Sequence, residues 1–315
     1  MGERIEFSNN FEGYLALGKQ AFNDGQYKVA TENLEAAYNL KPDFEANYGL
    51  VKSLLAQNKS LEAEKIATEM QTEYLADSDF LKVYLQALLS NQKFIHCHKL
   101  VHLSPITPQE KNDLIRFVGF SEENARQFLQ ASLADRVKAG LNLGECSFMK
   151  ALEVISELEK VPFKEYADVA TTVIHEKQVS LLLSQLLIES LVAIDYKERV
   201  IVPDIFGGTQ KLKLAELEPI GTTAIYQQCM TELMRELGAT DSEMAGQLQQ
   251  ALHVQMVLIY PKGQELISDA SLWVKLFVAS YLGQEIKVAD TQKEMMTSMR
   301  KVQQLIQNEL LQNMG

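Results

Sequence analysis

Cysteine, proline and tryptophan are scarce in this chain of 315 residues, which holds three, seven and one of them. Cys97, Cys146 and Cys229 form no CxxC pair, and their odd number leaves at least one thiol unpaired in any scheme. A disulfide framework is therefore excluded, and a reducing cytoplasm is the expected location. Basic residues are outnumbered: 30 Lys and Arg face 42 Asp and Glu, a net charge of −12. Such a chain repels phosphate backbones, so nucleic acid is not an expected partner. Long apolar runs are missing as well. The N-terminus MGERIEFSNNFEGY puts charges where a signal peptide needs an apolar run, and the stretch Leu181 to Ile194 is interrupted by Ser184, Gln185, Glu189 and Ser190. Neither export nor a membrane span or membrane partner is expected.

What remains is ordinary for a folded chain: 46% hydrophobic, 8% aromatic and 23% charged residues, enough to build a large core in two compact domains or one elongated array. Internal repetition decides between them. The stretch YLALGKQAFNDGQYKVATENLEAAYNLKP carries Tyr14, Leu17, Gly18, Phe22, Gly25, Tyr27, Ala30, Leu34, Ala37, Leu40 and Pro42. These resemble the tetratricopeptide (TPR) pattern of bulky residue, Leu-Gly, aromatic, small Ala, bulky residue and Ala, closed by Pro. Gly18 and Ala30 let two antiparallel helices approach, Gly25 permits the turn, and Pro42 stops the second helix. Tyr48 with Ala63, then Leu81 with Phe94 and Cys97, repeat the pattern at a period of about 34 residues.

Three repeats over residues 11–104 predict six helices, stacked because one hairpin cannot bury its apolar face alone. The first helix of each pair is expected to line a concave groove with Glu12, Lys19, Asn23, Ser53, Gln57, Lys82, Gln86 and Ser90. TPR modules that hold the acidic C-termini of chaperones use Lys and Asn in the first pair, Asn in the second, and Lys and Arg in the third. Here Leu15 and Lys19, then Leu50, then Asp79 and Val83 occupy those places, so no carboxylate clamp of that kind is expected.

Beyond Pro105 the pattern fades. Thr107-Pro108-Gln109-Glu110 reads as a capping box with Pro at the first helical position. Helical periodicity continues through 121–139, 147–160, 163–175 and 178–193, giving a degenerate TPR or HEAT-like region over 105–195. Arg199 to Leu214 breaks that period: alternation, β-branched residues and Gly207-Gly208 predict a β-hairpin, which must pack on helices because a lone hairpin is marginal in water. Helices resume at 221–237, 240–259, 265–282 and 290–312, two of them opened by capping boxes at Thr240/Glu243 and Thr291/Glu294. Trp273, Phe277 and Tyr281 mark one face of a buried helix. The fold class is thus all-α, an α-solenoid with one β-hairpin, and the third region spans 196–315. In overall order, with KERVIVPDIFGGTQKLKLAELEP and QALHVQMVLIYPKG before a closing helix, and with His175-Glu176-Lys177 and Leu258-Ile259-Tyr260-Pro261, the chain resembles a family of cytoplasmic TPR proteins from Gram-positive bacteria of the Firmicutes. That family brings no established activity with it.

Chemistry-bearing motifs are few. His98 and His102 lie one helical turn apart and could share Zn²⁺, but a third ligand is missing, and Cys97 fills the small-residue slot that points into the helix pair. No metal or other cofactor is expected. His175-Glu176 begins like HExxH, yet Val179 stands at the second His position. Gly207-Gly208 lacks the Lys-Ser/Thr and helix of a phosphate loop. Pairs such as Glu157/Glu159 and Glu216/Glu218 point apart on a helix. No catalytic residue is expected, and the chain reads as a scaffold that binds a protein or peptide segment of unspecified identity in its groove. The alternatives are a self-assembling structural module and an enzyme with a dispersed site. The last helix carries an apolar stripe, Met295, Met299, Val302, Ile306 and Leu310. Capping of its own array, hence a monomer, is favoured over a homodimer seam.

Overall fold

The computed structural model describes residues 10–176, 178–238, 242–284, 286 and 290–314. Among these the chain forms seventeen α-helices and one antiparallel pair of strands, an all-α fold with a single hairpin. It divides into two compact units: residues up to Ala134 with Glu159–Phe163, and Asp135–Leu158 with the residues from Lys164 onward. The boundaries expected near 104 and 195 are not where the compact units part. The helix that opens at the Thr107 capping box packs against the repeats and stays with the first unit.

The first unit begins α1 (Phe11–Asn23), α2 (Tyr27–Leu40), α3 (Phe44–Ala56), α4 (Ser60–Thr68), α5 (Gln71–Leu75), α6 (Ser78–Ser90), α7 (Phe94–Leu103) and α8 (Pro108–Phe128). Helix α9 (Gln130–Leu141) runs on from it. The repeat is written in the backbone. Asn10, Asp43 and Asp77 cap α1, α3 and α6 by accepting N–H groups of the first turn. Gly25, Asn58 and Gln92, at φ of 74°, 58° and 61°, turn the chain into α2, α4 and α7. Pro42 follows the extended residue Lys41 that ends α2.

Helices α1, α2 and α3 converge on Leu34. A Cβ on Gly18 would stand 2.5 Å from Leu34 Cγ, and one on Gly49 3.2 Å from its Cδ atoms. The core continues through Leu50, Leu54, Tyr74, Leu81, Tyr84, Leu88, Cys97, Leu114 and Val118.

Seven helices, not six, fill residues 11–104, because the second helix of the middle repeat is broken between α4 and α5. Buried Asn47 donates through Nδ2 to the Ile66 carbonyl at 2.8 Å, and the Tyr74 hydroxyl donates to Asn47 Oδ1 at 2.9 Å. The Ile66 carbonyl is thereby engaged from the side, and Glu69 and Met70 tighten to 3₁₀-type bonds on Ile66 and Ala67. The single helix expected over 121–139 is likewise two: α8 starts earlier, at its capping box, and ends at Phe128.

The second unit contains α10 (Phe148–Leu158), α11 (Phe163–Val173) from its second residue, α12 (Leu181–Ala193), β1 (Arg199–Pro203), β2 (Thr209–Lys213), α13 (Ala224–Leu237), α14 (Ser242–Leu258), α15 (Gly263–Leu266), α16 (Ala270–Leu282) and α17 (Lys293–Met314). The hairpin pairs Arg199 with Lys213 and Pro203 with Thr209. Val200 and Val202 turn inward, and Gln185 on α12 donates to the Pro203 carbonyl at 2.9 Å. Asp204 organises the turn. Its Oδ1 accepts from the N–H groups of Phe206 and Gly208, and its Oδ2 from Lys262 at 2.7 Å. Burial pushes this carboxyl up, but the three donors outweigh it and hold it below its ordinary range.

The stretch expected as one helix over 265–282 is divided by Asp269, which caps α16. Trp273 and Phe277 face the core as expected, whereas Tyr281 is 51% exposed, because α16 is reaching its end there. On α17, Met299, Val302 and Ile306 are buried against α12, α14 and α16 of the same chain. Thr240 of one expected capping box lies outside the described residues. No described helix is long and apolar enough to cross a membrane.

Candidate functional site

Helices α1, α3, α6 and α8 of the first unit expose one side to a pair of hollows. The first, about 280 Å³, is walled by Lys19, Phe22, Asn23, Glu45, Tyr48 and Lys52 above Leu34 and Gly49. The second, about 390 Å³, lies among Leu55, Gln86, Leu89, Ser90, Phe117 and Ser121. Each begins as polar helix surface interrupted by aromatic residues, and the aromatics hold the cations in place. Lys52 Nζ sits 4.9 Å from the Phe22 ring centroid and 5.4 Å from that of Tyr48, and Lys82 Nζ sits 5.3 Å from that of Phe117. Neither amine has a carboxylate partner among the described residues. Lys19, by contrast, is paired with Glu45. Burial, and after it the charges of Asp79 and Asp77, push the Tyr48 phenol up, so it stays a neutral donor at any physiological pH.

The residues expected to line the groove separate into three groups. Lys19 and Asn23 line the first hollow, Gln86 and Ser90 the second, and Lys82 stands exposed over Phe117. Glu12 is exposed on the first turn of α1 and borders neither hollow. Ser53 and Gln57 were expected to face a partner, but both are spent internally. Ser53 is fully buried with its hydroxyl on the Gly49 carbonyl, since this side of α3 is core. The Gln57 amide donates to Tyr27 O, Thr31 Oγ1 and Ser53 O. Phe22, Tyr48, Lys52 and Phe117 are the groove residues that a reading of polar first-helix positions missed. Their signal was the aromatic-plus-lysine spacing, which reads equally well as core.

The histidines are arranged otherwise than a shared ion would need. His98 is buried, with Nε2 2.9 Å from Glu122 Oε1 on α8, while His102 is only half-buried. Glu122 also accepts the Phe163 N–H at 2.9 Å, and the Phe163 ring lies 5.0 Å from the imidazole. Lys99 and the Glu159 carboxylate pair at 2.6 Å beside it, and the Ile95 N–H donates to the Glu159 carbonyl. The segment Glu159–Phe163 is thus tied to α7 and α8. Cys97 is buried in the hairpin, and burial holds its thiol well above the ordinary value, which leaves it inert. Among the described residues no three His, Cys, Asp or Glu side chains converge to hold a metal ion.

Compared with known protein families, curated proteins and solved structures, the chain matches none.

Proposed function

We propose that the first unit is a three-repeat TPR-type module of a cytoplasmic, non-catalytic adaptor, akin to the Firmicutes family its sequence resembles, and that its groove binds an extended segment of another protein. The observation that carries this reading is the pair of carboxylate-free lysines held over aromatic rings, Lys52 in the first hollow and Lys82 over the Phe117 ring that lines the second. In a chain of net charge −12, two unneutralised cations set against apolar ring faces favour a segment that alternates carboxylates with apolar side chains. Ring stacking fixes the amines without consuming their charge, so little ordering entropy is lost on binding.

An array of immobilised 12-residue peptides that vary in charge and aromatic content tests the reading on the full chain. Acidic-apolar peptides should be retained, and Lys52→Glu with Lys82→Glu should weaken them by more than tenfold, with circular dichroism confirming that helicity is unchanged at the exposed Lys82 and the half-buried Lys52 alike. Binding that survives the double substitution would place the site elsewhere.

A further inference from the structure

A separate cavity of about 370 Å³ lies in the second unit between α14, α16 and α17. Its size falls within the range of small-molecule sites. Its apolar lining includes Val254, Phe277 and Leu310, with the half-exposed Tyr281 ring. The rest of the lining carries carboxamides and the Ser280 hydroxyl, and none of the described lining residues is charged. Most of those polar groups are already committed. Gln307 Nε2 donates to Ser280 Oγ at 3.0 Å, and the Tyr281 hydroxyl reaches Gln247.

Two groups are not. The side chain of Gln255, a residue 6% exposed, makes no hydrogen bond, and its Oε1 is sealed without a donor. Gln303, also 6% exposed, gives its Nε2 to the Trp273 carbonyl at 3.1 Å and leaves its own carbonyl oxygen uncommitted. An unpaired carboxamide in the interior is destabilising, so a protein that keeps one beside a cavity is provided with a partner for it. The buried, unsatisfied polarity is that of the Gln255 and Gln303 carboxamides, while the exposed Gln307 can turn its own carbonyl to solvent. Half a turn of the Gln255 amide presents either its donor or its acceptor to the cavity.

We infer that this cavity binds a small, uncharged, planar ring whose edge carries an N–H beside an acceptor, as a nucleobase or a cyclic lactam does. Gln255 and Gln303 pair with that edge, and the apolar walls of Val254, Phe277 and Leu310, with the Tyr281 ring tilted 50° to that of Phe277, enclose the ring itself. A charged ligand would find no counter-charge among the described lining residues, and a sugar would bring several hydroxyls to walls that satisfy few of them.

Ligand-observed NMR and calorimetry on the full chain with uracil, adenine, cyclo(Gly-Gly) and glucose test this. Saturable binding of a base or of the lactam is expected, with glucose silent, and the ring that binds identifies the source. Gln255→Leu, nearly equal in volume, should weaken that ligand at least tenfold while raising the Tm of the ligand-free protein, because it removes an unpaired buried amide. Ala251→Met, which fills the cavity without touching either amide, should weaken the same ligand. Absence of saturable binding by both ring classes at millimolar concentration overturns the proposal. So does a Gln255→Leu protein that binds unchanged, or one whose Tm falls.

Discussion

Glu122 shows how a residue's role departs from its local reading. In the run Ser121-Glu122-Glu123-Asn124 it reads as solvated helix surface, yet it is buried, with one oxygen accepting from both His98 and the Phe163 N–H. The two donors come from sequence positions 24 residues before it and 41 after it, so no local pattern announces the site. Removing the acceptor strands both donors in the interior. Glu122→Ala should therefore lower stability by about 3 kcal/mol in urea unfolding, whereas Glu122→Gln, which retains a carbonyl acceptor, should cost appreciably less. A loss below about 0.5 kcal/mol for the alanine variant would show that water replaces the carboxylate without cost.

Among the helices, glycine separates packing from propensity. Gly18 in α1 has Leu34 against its missing Cβ, with the Leu34 backbone nitrogen 3.2 Å away, so α2 has no room to yield. Gly119 in α8 faces nothing within 4 Å. Gly18→Ala should cost about 1–3 kcal/mol through overpacking, while Gly119→Ala should stabilise by up to about 1 kcal/mol because alanine is the better helix former. Thermal unfolding of the two variants measures the contrast, and equal shifts would deny that α1 and α2 are in close contact at that point. The first repeat was legible in sequence because small residues, turn glycine and terminal proline recur at fixed spacing. The break between α4 and α5 was not, since it depends on the Asn47 side chain reaching across to a carbonyl of a neighbouring helix.

At the scale of the whole molecule, the apolar stripe of α17 is covered by its own chain. Met299, Val302 and Ile306 are buried within the one chain, which leaves that face unavailable for a seam between copies. Light scattering should give a monomer mass at all accessible concentrations. Ile306→Glu should lose several kcal/mol, because it places an unpaired charge where the wild-type side chain is fully enclosed. A soluble, fully helical Ile306→Glu protein replacing a wild-type dimer would reverse this assignment.

By itself the sequence determined the all-helical class, the period of about 34 residues, the Thr107 capping box and the hairpin at Arg199 to Leu214, because each depends on groups only a few residues apart or on their recurrence. Tertiary structure alone decided which polar side chains face outward. Lys52 and Lys82 keep free charges over aromatic rings, Ser53 and Gln57 are consumed by neighbouring helices, Glu122 gathers distant donors, and Gln255 is left unpaired beside a cavity. Periodicity fixes the direction of a side chain relative to its own helix axis. What it meets there depends on helices that follow tens of residues later, and only the assembled packing supplies them.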